Sequence, residues 1–148
     1  MTYRHTQTGR LTLVMFAVLI VVFVFVAAGS DVTATALAGL LVFLVALGGV
    51  LSMFTRLTVE VGDTAVSARF SWGWPRRTIA LDDIVQVSAV RNRWWYGFGV
   101  RITPHGWLYN VWGLDAVHLD LRDGSSFRIG TDEPGALATA IRQSAPRI

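Results

Sequence analysis

The sequence contains no cysteine and no lysine, and from Leu11 to Phe54 its one ionisable residue is Asp31. Without cysteine there is no disulfide framework and no thiol chemistry, and the chain suits a reducing compartment. Without lysine, all 13 basic residues are arginine, which stays protonated to very high pH, so a small positive excess produces a pI near 10.2. From Arg56 onward 11 arginines face 9 acids, a net of +2. That near balance does not suit a protein gripping many phosphates, and a nucleic-acid partner is set aside.

Hydrophobic residues are abundant, 53% against 16% charged, and they are unevenly spread. The run LTLVMFAVLIVVFVFVAA, Leu11 to Ala28, carries no charge over 18 residues. As a helix it spans about 27 Å, close to the roughly 30 Å of bilayer hydrocarbon. A second run of 23 residues, Val32 to Phe54, is long enough to span with some tilt. Only Gly29, Ser30 and Asp31 clearly separate the two, so the reading is an antiparallel transmembrane hairpin over residues 11–55, after a cytoplasmic segment of residues 1–10. Small residues in the second run (Ala34, Ala38, Gly48, Gly49) allow close helix approach, with Ala38 and Gly39 available to the first helix or to a second copy of the chain. A cleaved signal peptide ending at Val26-Ala27-Ala28 is the competing reading, though its apolar core is long and a second run follows at once. Arg4, Arg10 and Arg56 flank the hairpin while its loop holds only Asp31. The positive-inside rule therefore places both termini in the cytoplasm and the chain in the cell membrane as a multi-pass protein.

From Leu57 the apolar pattern changes to alternation. LTVEV is followed by the turn pair Gly62-Asp63, and TAVSARF puts Val66, Ala68 and Phe70 on one face. TIAL (78–81), VQVSAVR with Val85, Val87 and Ala89 inward, GFGVRIT (97–103) and WLYNVW (107–112) are further strand candidates. The clearest hairpin is AVHLDLRDGSSFRIGT: Val117, Leu119 and Leu121 face in, Asp123-Gly124 turns, and Phe127 and Ile129 resume the inward face. A helix closes the chain, with Asp132 as its cap, Glu133 and Pro134 in its first turn and Leu137, Ala140 and Ile141 on one stripe.

Two apolar helices followed by IALDDIVQV, YGFGVRIT and GLDAVHLDLRDGSSFRIGTDEPGALATAI resemble the bacterial PH-like domain membrane proteins. The resemblance implies that residues 56–148 form a mainly-β PH-like domain, about seven strands of bent sheet closed by a C-terminal helix. It implies little about activity, because that fold hosts lipid, peptide and self-association sites. Phosphoinositide-binding PH domains carry basic residues around the first hairpin loop. Here that loop is read as Val61-Gly62-Asp63-Thr64, short and acidic, and such specificity is not implied.

All six tryptophans lie after the apolar runs. Thr55 and Arg56 alone separate Phe54 from the first strand, a reach of about 7 Å, so the domain stays at the bilayer surface. Tryptophan and arginine together suit a headgroup boundary. The candidate surface for anionic lipid headgroups or a protein partner is Trp72, Trp74, Arg76, Arg77, Arg91, Arg93, Trp94 and Trp95. The alternative is structural, with one tryptophan of each neighbouring pair filling the core and the other covering an edge. His105 and His118 lack companions at metal-ligand spacing, and His118 reads as solvated. No nucleophile elbow, phosphate-cradling loop or HExxH motif is present, and the sequence indicates no catalytic residue, metal or cofactor. The reading is a non-enzymatic membrane-anchored module that binds or scaffolds a lipid surface or a protein at the cytoplasmic face, self-association included. The alternative is an accessory subunit of a membrane enzyme or transporter complex.

Overall fold

The computed structural model describes residues 3–29 and 32–145. Ser30 and Asp31 of the expected hairpin loop, and residues 146–148, lie outside the described residues.

The two apolar runs are helices, α1 (Arg10–Gly29) and α2 (Ala34–Ser52), both long and apolar enough to cross a membrane, with none of their residues buried. Thr33 caps α2, its hydroxyl accepting from the Ala36 amide at 3.3 Å. Between the helices the small residue used is Gly48: a side chain there would press on the Phe16 ring, whereas Gly39 has open space around it. The second helix ends two residues before its expected last member, Phe54. That ring turns into the domain, 5.1 Å from Phe70, because an aromatic side chain gains more against the core than at a helix end.

The segment before α1 is itself a strand. β1 (Tyr3–Thr8) pairs antiparallel with β2 (Arg56–Val61), from Tyr3 opposite Val61 to Thr8 opposite Arg56. This polar stretch carries no apolar alternation that marks a strand, and its partners are what hold it in the sheet. Arg4 reaches Glu60 at 3.2 Å, His5 reaches Asp132 at 2.6 Å, the Tyr3 hydroxyl donates to Glu133, and the Gln7 amide donates to the Trp112 carbonyl. β2 continues through β3 (Ala65–Phe70) to β4 (Arg76–Ala80), giving a sheet of order β1-β2-β3-β4. The Val61–Ala65 turn is thus the connection between the second and third strands, and the loop between the first two is the helical hairpin itself.

A second sheet has the order β5-β8-β9-β7-β6, built from β5 (Ile84–Arg91), β6 (Gly99–Thr103), β7 (Gly106–Asn110), β8 (Asp115–Leu121) and β9 (Ser126–Gly130). Among the described residues there are nine strands where about seven were expected: every strand candidate of the sequence is present, β1 is added, and the β6–β7 hairpin joins the sheet through a parallel pairing of β7 with β9. The close approach at that pairing requires glycine at 106, where φ is +90° and a Cβ would collide with the Ser126 backbone. In β5 a bulge at Val85 leaves that side chain exposed while Ile84 and Val87 turn inward, so strict alternation misplaces it.

The core lies between the sheets and is closed by α3 (Pro134–Ser144). Phe70, Leu57, Val61, Val117, Leu119, Phe127 and Ile129 meet Leu137 and Ile141 there. Asp132, the expected cap of α3, pairs with His5 instead, and Glu133 occupies the cap position without a side-chain bond to the helix.

Burial, followed by the negative charge of Glu133, pushes the Tyr3 hydroxyl up to about 12. The folded state therefore favours the protonated phenol, and this stability is fully present below the free value near 10 and lost as the pH climbs towards 12. Thermal unfolding followed across that window should show the midpoint falling, and Tyr3→Phe should remove part of the fall.

Candidate functional site

The eight residues proposed for a surface fall into two groups, one on each sheet. Trp72 and Trp74 stand in the turn between β3 and β4, and Arg76 and Arg77 begin β4. This turn abuts the end of α2. The Ser71 amide donates to the Met53 carbonyl at 3.1 Å, and the Ser71 hydroxyl accepts from the Arg56 amide at 2.9 Å. Gly73 supplies the positive φ, +79°, that reverses the chain. Arg76 and Arg77 project from the surface beside the turn, and neither makes an ion pair among the described residues.

Arg91 ends β5, and Arg93, Trp94 and Trp95 follow it. β5 and β6 are opposite edges of the five-stranded sheet, so residues 92–98 must cross its whole width, about 19 Å at the usual strand spacing. Seven residues can span at most about 25 Å, so the crossing has little slack. This strap lies over the outer face of the sheet. Beneath it Leu108 is completely buried and Arg128 is only 8% exposed, although both point away from the main core. Arg128 holds the strap down by donating from Nη1 to the Asn92 Oδ1 at 3.0 Å and from Nε to the His118 Nδ1 at 3.1 Å. The second bond fixes the neutral His118 tautomer, with Nε2 donating to Asp120 at 3.0 Å. His118 was expected to be solvated, but the strap covers it and leaves its side chain 14% exposed. Burial lowers the basicity of Arg128, partly offset by Tyr96 and Asp120, and the Arg128 charge in turn lowers the affinity of His105 for a proton.

The strap answers why tryptophans follow arginines in this segment. Tyr96 turns under, its ring 6.4 Å from His105, while Arg93 lies over the outer Trp95 ring at 5.0 Å and Trp94 meets Trp95 edge to face. Neither member of either tryptophan pair fills the core: Trp72 is 66% exposed, Trp74 67%, Trp94 75% and Trp95 57%. Arg91 is exposed and lies 3.7 Å from Asp115. No ring contact or hydrogen bond among the described residues links Trp94 or Trp95 to the helices, whereas the Trp72–Trp74 turn is bonded to the end of α2.

Sequence reasoning missed Asn92, Arg101 and Arg128. The alternation of Phe127 and Ile129 shows that Arg128 leaves the core, but only the strand order reveals that a strap covers it. The glycines of YGFGVR, expected to serve sheet curvature, sit where the strap re-enters the sheet, Gly97 with φ +74° and Gly99 with φ +88°. Among the described residues, no three His, Asp or Glu side chains converge as a metal-binding group. Comparison with protein-family models and with curated proteins finds no significant match for the chain.

Replacing Arg128 with leucine should leave the Asn92 and His118 acceptors without a donor, costing about 1–3 kcal/mol for each buried group left unpaired. Hydrogen exchange should quicken over residues 92–98 while β2 and β3 keep their protection. Unchanged exchange in the strap would show that Arg128 does not hold it.

Proposed function

We propose that the chain is a non-enzymatic, membrane-anchored PH-like module, with its hairpin across the cell membrane and its tryptophan- and arginine-bearing surface presented at the anionic cytoplasmic leaflet. The observation that carries this reading is the rooting of the hairpin. α1 leaves from β1 and α2 returns into β2, two strands hydrogen-bonded side by side, with the Gly9 amide donating to the Thr55 carbonyl at 2.7 Å. The helices therefore leave and re-enter the domain at one place, and the Trp72–Trp74 turn stands beside that place. Exposed indoles at a helix end, beside guanidiniums without an ion pair among the described residues, are the chemistry of a headgroup boundary, each arginine contributing about 1 kcal/mol towards anionic lipid.

The strand before α1 also supports retention of the first helix, since cleavage after Ala28 would take β1 out of the sheet. Support for the PH-like reading comes from the strand order. With the β6–β7 hairpin set aside, seven strands remain as β1-β2-β3-β4 and β5-β8-β9, all antiparallel and closed by α3. In that reading the loop between the first two strands, where phosphoinositide-binding PH domains carry basic residues, is occupied by the membrane hairpin.

Reporters placed before Tyr3 and after Ile148 should both read the cytoplasmic side, and opposite readings would sink the rooted hairpin. In bilayers brominated near the headgroup, the tryptophan fluorescence of the full chain should be quenched. Trp72→Phe with Trp74→Phe should remove more of that quenching than Trp107→Phe. Equal losses would return these side chains to a role unrelated to the membrane.

A further inference from the structure

Where the hairpin meets the domain, a groove of about 480 Å³ opens between Leu11, Thr12 and Met15 of α1, Leu51 and Phe54 at the end of α2, and the Gly97–Arg101 stretch. Leu11 and Met15 lie four residues apart and so share one helix face, which carries the apolar surface of α1 directly into the groove. Opposite them the strap re-enters the sheet through Gly97 and Gly99, whose positive φ values exclude side chains and keep that wall low; the Gly99 backbone faces the Phe54 ring. The one charge in the lining is Arg101. Its Nε donates to the Phe98 carbonyl at 2.9 Å, which orients the guanidinium, and the side chain is exposed and has no carboxylate partner among the described residues.

An apolar slot that ends at an oriented, unpaired guanidinium complements a molecule with a hydrocarbon tail and an anionic head. Guanidinium forks match phosphate oxygens closely. The depth agrees: Leu11 to Met15 covers about 6 Å of helix rise, the outermost hydrocarbon of a spanning helix, with Arg101 on the domain side of it. We propose that this groove holds one anionic phospholipid drawn from the bilayer, its phosphate on Arg101 and one acyl chain along Leu11, Met15, Leu51 and Phe54. This rests on the reading of the hairpin as membrane-spanning.

The test uses the full chain in lipid nanodiscs of phosphatidylglycerol and phosphatidylcholine in equal amounts, released for native mass spectrometry. One phosphatidylglycerol should stay with each chain in preference to phosphatidylcholine. Arg101→Glu should cut its retention on the order of tenfold, as expected for loss of one charge-assisted contact. Arg101→Gln should lower it in the same direction, and serves where the reversed charge prevents folding. Met15→Trp, which fills the slot from the helix side, should expel lipid of either head. Equal retention of the two lipids, unchanged retention in both Arg101 variants, or displacement by inorganic phosphate would overturn the groove while leaving the spanning hairpin intact. Failure of the full chain to enter nanodiscs at all would overturn the spanning hairpin, and the lipid site with it.

Discussion

The pairing of β1 with β2 is the constraint on which the rest of the molecule depends. These strands are separated in sequence by the whole apolar hairpin, yet Thr8 lies opposite Arg56 and the ladder runs on to Tyr3 and Val61. Two helices entering and leaving from neighbouring strands inherit the antiparallel direction of those strands, so the hairpin has one root rather than a flexible tether. Gly9 marks how close that root is: a Cβ there would press on the Val111 and Phe54 carbonyls. The root also fixes what stands around it, the Trp72–Trp74 turn through Ser71 on one side and the groove lined by Phe54 and Val111 on the other.

A second constraint comes from strand order. β5 and β6 are opposite edges of one sheet, so the segment that joins them must cross it, and the Asn92–Arg128 bond places that crossing over the outer face. Crossing that face creates a small second interior, with Leu108 and Arg128 beneath Asn92 and Tyr96, separate from the core between the sheets. A buried guanidinium is costly unless its donors are satisfied, and here a neutral histidine and an amide oxygen accept from it in place of a carboxylate. The same crossing displays Trp94 and Trp95, because a strap one residue thick has only its underside to hide aromatics against.

Much of the architecture is written in local periodicity, and the sequence by itself determined those parts. Uninterrupted apolar runs specify α1 and α2, since their composition suits helices that expose apolar side chains on every face. Alternation specifies β2, β3, β8 and β9, whose inward residues Val66, Phe70, Leu119 and Ile129 are all buried. Asp123-Gly124 turns as its chemistry requires, with Gly124 at φ +82°, and the Leu137, Ala140 and Ile141 stripe of α3 packs inward. Tertiary structure alone decided what depends on partners far along the chain. YRHTQT has no apolar alternation and becomes a strand because Glu60, Trp112, Asp132 and Glu133 are brought beside it. Val85 alternates correctly in sequence and is turned out by a bulge in its pairing with β8. Arg128 and Arg101 look alike as outward arginines on strands, but the crossing strap buries one and leaves the other exposed at the mouth of a groove. Periodicity is a property of neighbours a few residues apart, whereas strand order and the path of a crossing segment follow from the closure of loops across the whole fold.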